Sequence, residues 1–308
     1  MMDPDRLNRA WGCALGAAIG DALGMALEFG PPRPAGDLVR TMLPGRLPAG
    51  TFTDDTEMAL ALAESLLAAR PLNQADLAGR FLAWYRAGPS DIGVHTATVL
   101  GRVNRGETWK QAARAVALLT PQSAGNGSLM RCWPVALVPH AGLDALIDDS
   151  IRQSQVTHLH PECGAACALV NVTIFRLLQG VPPAGALGQA LEAVDLPAPL
   201  AAVVEAAPGR TREQLANSGW VRHTLESAVW GLLTTATFAE AVIQVVNLGR
   251  DADTAGAVVG ALAGAAYGLQ AIPVAWQQAL QGEWPLRSGR RLGAADLVDL
   301  ADRLVGAG

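Results

Sequence analysis

Residues 16–28 read Gly-Ala-Ala-Ile-Gly-Asp-Ala-Leu-Gly-Met-Ala-Leu-Glu, with a glycine at every fourth position from Gly16 to Gly24. Residues four apart lie on one face of an α-helix, so a helix here would present a face without side chains, which another backbone could approach closely. The charged residues of this stretch are Asp21 and Glu28. We expect Asp21 to support a neighbouring site from within the core. Glu28 is expected either to reach into that site or to form a solvated helix end.

Apolar residues recur at helical spacing along the chain, whereas alternating strand patterns are nearly absent. The 308 residues lie near the size at which one hydrophobic core begins to split, and we predict an all-α fold, a compact multi-helix single domain spanning residues 1–308. Besides the helix at 16–28, helices are predicted at residues 58–69, 77–86, 109–119, 163–179, 223–233, 238–247 and 254–269. Loops rich in Pro and Gly are predicted at residues 30–50, 180–200 and 207–219.

The composition argues against several classes of protein. Apolar residues make up 50% of the chain and charged residues only 17%, so we expect no extensive disorder. With 23 basic and 28 acidic residues the net charge is −5, and no run of Lys and Arg is present, so we expect no general binding of nucleic acid. The four cysteines form no CxxC pair, and the first residues lack the features of a signal peptide. We therefore expect a reducing, cytoplasmic location.

One uncharged segment, residues 255–282, exceeds the roughly 20 residues that a membrane-spanning helix needs. It consists mostly of Gly and Ala rather than Leu, Ile or Phe, and Pro273 interrupts it. It also begins directly after Asp251 and Asp253. We therefore predict a buried central helix and no membrane span.

Two short acidic clusters lie in opposite halves of the chain, Thr53-Asp54-Asp55-Thr56-Glu57 and Asp251-Ala252-Asp253-Thr254. Each precedes an Ala-rich apolar stretch and could simply start a helix, because Asp and Thr are favoured N-caps. Four carboxylates in one pocket, however, would repel one another unless a cation compensated them. Oxygen donors without a nearby Cys or His favour Mg²⁺ or Mn²⁺ over Zn²⁺. We predict that the clusters meet around one site, with oxygens enough for two such ions.

Other polar segments are candidates for ligand binding. Gly125-Asn126-Gly127-Ser128 is either an anion cradle of backbone N–H groups or an ordinary tight turn. His158 and His160 flank a leucine in a turn, where we expect one ring to point inward and the other outward. Asp91 is a loop carboxylate that either caps the next helix or pairs with a cationic substrate group. Trp220 follows a glycine and is either a core residue or a platform for a flat ligand.

Taken together and in this order, these segments resemble the ADP-ribosylglycohydrolase family, DraG-like metallohydrolases that remove ADP-ribose from modified targets. The resemblance spans most of the chain. The matching motifs are G-x-x-x-G-D-A-L-G-x-x-x-E at residues 16–28, T-D-D-T at 53–56, D-I-G at 91–93, G-N-G-S-L-M-R at 125–131, T-H-x-H-P at 157–161 and V-N-L-G-R-D-A-D-T at 246–254. A chance match of six ordered motifs is very improbable, whereas each motif alone is a weak signal.

The resemblance implies an all-α fold with a binuclear Mg²⁺ or Mn²⁺ centre. Its metal ligands fall here on Thr53, Asp54, Asp55, Asp251, Asp253 and Thr254. The resemblance also places Glu28 over the metals and Asn126, Gly127 and Ser128 at the diphosphate of the ligand. Arg250 stands where many relatives have Gly, and Trp220 where a Tyr is expected, so the rim of the pocket differs from theirs.

The implied reaction is hydrolysis at the anomeric carbon of the distal ribose, through a transition state with oxocarbenium character. The predicted catalytic carboxylates are Glu28, Asp54, Asp55 and Asp253, and their order as proton acceptors stays open. The predicted substrate-binding residues are Asp91, Asn126, Gly127, Ser128, His158 and Trp220. In this set Asp91 is expected to hold the guanidinium of an ADP-ribosylated arginine.

The sequence therefore predicts an enzyme, an ADP-ribosyl hydrolase acting on ADP-ribosylated protein, with arginine-linked ADP-ribose as the favoured substrate. Serine ethers and O-acyl esters of ADP-ribose are alternative linkages. A second hypothesis is a non-catalytic protein of the same fold that binds ADP-ribose, against which the intact metal motifs speak. A third is a metal-dependent phosphoesterase, which would attack phosphorus and release AMP instead of ADP-ribose.

Overall fold

The computed structural model describes residues 3–307 and confirms the all-α class. The only β-structure within that range is one short antiparallel pair, Gly282–Glu283 with Arg291–Leu292, and two isolated bridges. The helices are α1 Pro4–Gly24, α2 Asp54–Ala68, α3 Gln74–Ala87, α4 Val94–Asn104, α5 Trp109–Leu119, α6 Pro134–Leu137, α7 Leu143–Gln155, α8 Pro161–Leu178, α9 Pro183–Ala193, α10 Ala198–Ala206, α11 Val221–Thr234, α12 Phe238–Val246, α13 Ala252–Tyr267, α14 Val274–Ala279 and α15 Ala294–Val305. Single 3₁₀ turns form at Ala207–Gly209, Arg212–Gln214 and Leu269–Ala271.

The centre of the fold is an antiparallel pair, α1 and α13, packed along their whole length. The glycines of α1 face those of α13, with Gly16 opposite Gly260 and Gly20 opposite Gly256. A Cβ added to either member of these pairs would overlap the carbonyl oxygen of the other helix. The spacing of glycines therefore predicted a close backbone contact, and the partner is the helix that begins at the second acidic cluster.

This contact fixes where the two acidic segments lie. At its end, Gly24 of α1 packs against Ala252 and the backbone of Asp253 at the start of α13. The chain then leaves α1 through the loop that contains Glu28, and α2 begins at Asp54. The N-termini of α2 and α13 thus meet beside the C-terminus of α1.

The remaining helices surround this pair. α13 also packs against α8, α11 and α12, and α1 packs against α15. The helix α8 is long and apolar enough to cross a membrane by length and composition, but 83% of that segment is buried inside the protein. Such burial is what a core helix of a globular protein shows.

The buried central helix predicted at residues 254–269 is confirmed as α13, which ends at Tyr267, and a short helix, α14, follows Pro273. Other predicted segments need correction. The predicted loop at 180–200 contains α9 and the start of α10. Each of these two helices has a proline within its first two positions, where proline is well tolerated. The helices α4, α6, α7, α14 and α15 were not predicted.

The predicted loop at 30–50 is confirmed and carries no helix. It is held to the body of the protein by Asn247 at the end of α12. The backbone N–H of Arg33 donates to the Asn247 carbonyl (2.9 Å), and the Val39 N–H donates to its side-chain oxygen (2.8 Å). This anchoring fixes the course of the loop that leads to the first acidic cluster.

Candidate functional site

The first acidic cluster is organised from below by Asp21 of α1, which is fully buried. Its carboxylate accepts hydrogen bonds from the backbone N–H (2.9 Å) and hydroxyl (2.8 Å) of Thr53, and from the N–H (3.2 Å) and hydroxyl (2.6 Å) of Thr56. Burial raises the pKa of Asp21 to about 6, and these hydrogen bonds act in the opposite direction. Asp21 therefore supports the start of α2, as its position in the sequence predicted.

The two acidic clusters come together at this point. Asp55 from α2 and Asp253 from α13 are both buried. Burial raises the pKa of each well above its usual value, and the charge of Asp55 raises that of Asp253 further. The side chain of Thr254 lies beside both Asp55 and Asp251 and acts to lower the pKa of each. Carboxylates from opposite halves of the chain thus share one buried volume, as the sequence predicted.

The donor set fits a divalent cation. The Oδ1 atom of Asp55 is buried and has no hydrogen-bond partner among the described residues. Within residues 3–307, no Arg, Lys or His forms an ion pair with Asp54, Asp55 or Asp251. Burial and neighbouring carboxylates raise the pKa of Asp54 and Asp55. The hydroxyl of Thr53 donates to Asp21, which leaves its lone pairs free to coordinate. Such hard oxygen donors suit Mg²⁺ or Mn²⁺.

A second acidic group lies beside the first. Oxygens of Glu28, Asp91 and Asp253 lie within 4.8 Å of one another. The Nη2 atom of Arg46 donates to Glu28 and Asp91 and lies 3.4 Å from Asp253. The Glu28 side chain is only 8% exposed, so it reaches into the site and does not form a solvated helix end. Asp91 pairs with this arginine and does not cap α4, whose N-cap is Gly93.

A cavity of about 630 Å³ opens over these carboxylates. It is lined by predicted site residues that include Glu28, Asp54, Asp91, Asn126, Gly127, His158, Asp251, Asp253 and Thr254. Thr53 and Asp55 do not line it, because both are buried.

The turn at residues 125–128 forms one wall of the cavity. The side-chain amide of Asn126 donates to Asp251 (2.6 Å) and to the hydroxyl of Thr224 (2.8 Å), which ties the turn to the second acidic cluster. The side chain of Ser128 does not face the ligand site, where it was predicted to lie. Its hydroxyl is fully buried on the core side, where it accepts from Ser154 (2.8 Å), so only its backbone N–H is left as a candidate ligand donor.

His158 points inward, as predicted, and His160 lies at the start of α8, where its ring accepts from the Glu162 N–H (3.3 Å). The His158 ring stacks on His95 with a centroid distance of 4.3 Å. Burial lowers the pKa of His158 well below its usual value, and the neighbouring His95 and Arg131 lower it further. His158 is therefore neutral at physiological pH and suited to hydrogen bonding or stacking with a ligand.

Trp220 lies outside the main cavity. It borders an adjoining groove of about 310 Å³ that shares Ser123, Gly125 and Gly219 with the main cavity. The indole is 38% exposed, so it is not a core residue. The Arg222 guanidinium lies 4.6 Å from the ring centroid and holds the ring in place. An aromatic platform beside the cavity agrees with the predicted stacking role.

The sequence did not identify Arg46 or His95 as site residues. Arg46 is one arginine in a Pro/Gly-rich loop, and nothing local indicates that it meets three carboxylates. His95 follows Asp91-Ile92-Gly93 in α4, a helix that was not predicted, so its orientation could not be inferred. The position of His95 next to that motif was the available signal that it belongs to the site.

Two residues of the cavity rim have unusual backbone geometry. Phe29 and Arg250 have φ angles of 61° and 58°, in the left-handed region. The Phe29 N–H donates to the Arg250 carbonyl (2.6 Å), and the Arg250 N–H donates to Gly30 (2.7 Å). This explains why glycine would suit position 250, since only glycine adopts such an angle without strain.

Comparison with known proteins agrees with this geometry. The sequence model of the family described as ADP-ribosylglycohydrolase matches residues 2–308. The ADP-ribosylarginine hydrolase Tri1 of Pseudomonas putida (strain GB-1) is 35% identical over 292 residues, which cover 89% of this chain and 76% of that protein. The ADP-ribosyl-[dinitrogen reductase] glycohydrolase of Rhodospirillum rubrum is 34% identical over 283 residues, with coverages of 90% and 91%.

A solved structure described as an ADP-ribosylglycohydrolase-related protein complex is also similar. It superimposes with a TM-score of 0.81 at 36% identity, covering 98% of this chain and 99% of that chain. The family model, the named relatives and this structure all agree with the resemblance found in the sequence motifs. The chain belongs to the ADP-ribosylglycohydrolase family.

Proposed function

We propose that this protein is a metal-dependent hydrolase that cleaves the N-glycosidic bond between ADP-ribose and the guanidinium of a modified arginine. The observation that supports arginine as the modified residue of the substrate is the position of Arg46. Its guanidinium lies among Glu28, Asp91 and Asp253 at the edge of the cavity. This acidic group therefore already accepts the same functional group that an arginine-linked substrate would bring.

The physical basis is the shape and charge of the guanidinium. It is planar, permanently charged and able to donate to two carboxylates at once. Asp91 and Glu28 come from different loops and both accept from Arg46. A substrate guanidinium entering the cavity would replace Arg46 at these carboxylates. A serine ether or an acyl ester carries no positive charge and would gain less there.

The chemistry follows from the other residues of the cavity. Bound Mg²⁺ or Mn²⁺ would hold ribose hydroxyls and acidify a water. Thr53, Asp54, Asp55, Asp251, Asp253 and Thr254 are the residues that would hold such ions. The turn at 125–128 would take the diphosphate, and Trp220 in the adjoining groove would stack on the adenine. The carboxylates proposed to accept the water's proton are Glu28, Asp54, Asp55 and Asp253.

The proposed location is the cytoplasm. All four cysteines are free and buried, which agrees with a reducing compartment. The proposed partners are ADP-ribose and ADP-ribosylated protein.

The test compares ADP-ribosylarginine with ADP-ribosylserine as substrates in the presence of Mg²⁺ or Mn²⁺, with chromatographic identification of the products. The wild-type protein should release ADP-ribose from the arginine conjugate. The D91N variant should lose about 10- to 100-fold in kcat/KM on that substrate, since loss of one charged partner costs about 1.5–3 kcal/mol. Its activity on the serine conjugate should change much less.

The matched control is D37N, which removes an exposed aspartate from the loop at 30–50. This variant should behave as the wild type does. Undiminished turnover of the arginine conjugate by D91N would remove arginine as the proposed linkage. Binding of ADP-ribose without hydrolysis of either conjugate would favour the non-catalytic alternative, and release of AMP would indicate a phosphoesterase.

A further inference from the structure

Asn217 is a buried polar residue that contacts the backbone at the second acidic cluster. The residue is 1% exposed, and its Nδ2 atom donates to the carbonyl of Gly249 (2.7 Å) and to that of Asp251 (3.1 Å). Because both neighbours are carbonyl oxygens, only the amide nitrogen can face them, and this fixes the orientation of the amide. The Oδ1 atom is buried and accepts no hydrogen bond from residues 3–307.

These contacts are unfavourable for a residue whose only task is to fill the core. A buried amide oxygen without a donor costs free energy that an apolar side chain of similar size, such as leucine, does not incur. The two hydrogen bonds made by Nδ2 therefore give the reason for an amide at position 217.

The backbone that Asn217 contacts is strained. Gly249 and Arg250 are consecutive residues with φ angles of 68° and 58°, both in the left-handed region. Such an angle is unfavourable for Arg250, which has a Cβ, so the surrounding contacts must hold it. The Arg250 N–H donates to Gly30 and its carbonyl accepts from Phe29, while Asn217 binds the carbonyls of the residues before and after it.

This turn determines where Asp251 lies. Asp251 follows Arg250 directly and is the N-cap of α13. Its carboxylate accepts from the side-chain amide of Asn126 (2.6 Å), whereas its backbone carbonyl accepts from Asn217. Two asparagines thus hold the side chain and the backbone of one predicted metal ligand. Without Asn217 the turn would be free to relax toward ordinary backbone angles, which would move the Asp251 carboxylate relative to Asp253.

We propose that Asn217 is a positioning residue for the divalent-cation centre, which holds the Gly249–Arg250 turn so that Asp251 lies with the other carboxylates of the site. This inference rests on the proposed function, because it takes a divalent cation as the ligand of the two acidic clusters. Asn217 acts through the backbone and is not itself a ligand. The loop that carries it continues into Ser218 and Gly219, which line the cavity, so Asn217 joins two walls of the site.

The test measures Mn²⁺ affinity by isothermal titration calorimetry in the absence of substrate. The N217L variant keeps the approximate size of the side chain and the N217A variant removes most of it, and both lack the two donors. Each variant should bind Mn²⁺ about 10- to 100-fold more weakly than the wild type, the usual cost of losing a partner behind the direct ligands.

The matched control is Asn171, which lies in α8. It is also fully buried, its Nδ2 atom also donates within the core, to Ser150 (2.9 Å), and its Oδ1 atom also accepts from none of the described residues. Unlike Asn217, it has no contact with the acidic clusters or the cavity. The N171L and N171A variants should bind Mn²⁺ as the wild type does. Thermal melts of all four variants in EDTA separate a loss of stability from a loss of metal binding.

Wild-type Mn²⁺ affinity in N217L and N217A would overturn the proposal, and so would an equal loss of affinity in the Asn171 variants. If neither variant at position 217 folds, NMR of the wild-type protein provides the test. The side-chain amide resonances of Asn217 should shift on titration with Mg²⁺ while those of Asn171 stay in place, and unchanged Asn217 resonances would contradict the proposal. A wild-type protein that binds no Mn²⁺ would contradict the metal-dependent function itself, so the two failures are distinguishable.

Discussion

Asp21 shows how one side chain can set the geometry of a site that it does not line. It is buried in α1 and accepts four hydrogen bonds from the two threonines that flank Asp54 and Asp55. The carboxylate of Asp21 thereby fixes the start of α2 and orients the Thr53 hydroxyl. Partners behind the direct ligands commonly determine how well a metal site binds.

Replacement of Asp21 by asparagine should weaken both the fold and the metal site. Three of the four cited donors bond Oδ2 and one bonds Oδ1, so an amide nitrogen, which cannot accept, would face at least one of them. We expect a loss of about 2–4 kcal/mol in the free energy of unfolding. The affinity for Mn²⁺ should fall about 10- to 100-fold. Chemical denaturation and Mn²⁺ titration by calorimetry measure the two effects.

The matched control is D149N. Asp149 is also buried and accepts from a backbone N–H, that of Leu72, but it lies away from the cavity. This variant should lose stability with unchanged Mn²⁺ affinity. Unaltered Mn²⁺ affinity in D21N would show that Asp21 serves the fold alone.

Single residues were predictable where their local sequence carried the signal. The meeting of Asp55 and Asp253 in one site was predicted from the two acidic clusters of the sequence. Arg46 and the inward hydroxyl of Ser128 were not predictable, because each depends on contacts with distant parts of the chain. Ser128 meets Ser154 of α7, a helix that was not predicted.

Among the helices, the pair α1 and α13 has the greatest effect on the site. Its glycines allow backbone-to-backbone contact, and the end of the contact places Gly24 against the start of α13. A change in the spacing of these helices would move Asp251 and Asp253 relative to Asp54 and Asp55. The glycine pattern is therefore a requirement of the site as well as of the core.

The G20A variant should be strongly destabilised or should fail to fold. An added methyl group at this position would overlap the Gly256 carbonyl, and neither backbone can yield without separating the helices. We expect a loss of more than about 3 kcal/mol, measured by thermal or chemical denaturation.

The matched control is G79A in α3, where nothing lies within 4 Å of an added Cβ. This substitution should stabilise the protein by about 0.5–1 kcal/mol, since alanine is the better helix former. A G20A protein as stable as the wild type would show that the two helices are not in close contact.

The helices also show which elements can be predicted from the sequence. The helix at 109–119 was predicted from its apolar spacing with the observed ends. The structure adds the reason for its start, since Thr108 and Gln111 form a capping box before this amphipathic stretch. The prolines of segment 180–200 predicted a loop, because proline usually breaks a helix, whereas here prolines occupy first-turn positions in α9 and α10. Distinguishing the two cases requires the tertiary contacts that bury these helices.

At the scale of the whole molecule, the fold concentrates negative charge in one buried place. Burial raises the pKa of Asp54, Asp55 and Asp253 well above the usual value, and it raises that of Glu28 to about 7. The folded protein without metal thus binds more protons than the unfolded chain at neutral pH. Its stability must fall as pH rises through the folded-state pKa values.

We therefore expect the melting temperature of the metal-free protein to decrease between about pH 6.5 and pH 8, by roughly 2–4 °C for each kcal/mol lost. His95 and His158 act in the opposite direction below about pH 7, since burial lowers their pKa below the unfolded value of about 6.5, so the decrease should be steepest above pH 7. Mn²⁺ should reduce the decrease, because the cation favours the ionised carboxylates. Calorimetric melts in EDTA and in Mn²⁺ provide the measurement.

The matched variant is D54N, which removes one of the interacting carboxylates and should give a shallower dependence on pH in EDTA. A melting temperature that rises across this range in the absence of metal would contradict the assigned directions.

The two acidic clusters, one from each half of the chain, are proposed to hold divalent cations jointly. An anomalous difference map from crystals grown with Mn²⁺ tests this point. We expect peaks within coordination distance of both Asp55 and Asp253, with Asp54 and Asp251 completing the site. A map without a peak between the two clusters, or with Mn²⁺ bound to one cluster alone, would contradict the proposed centre.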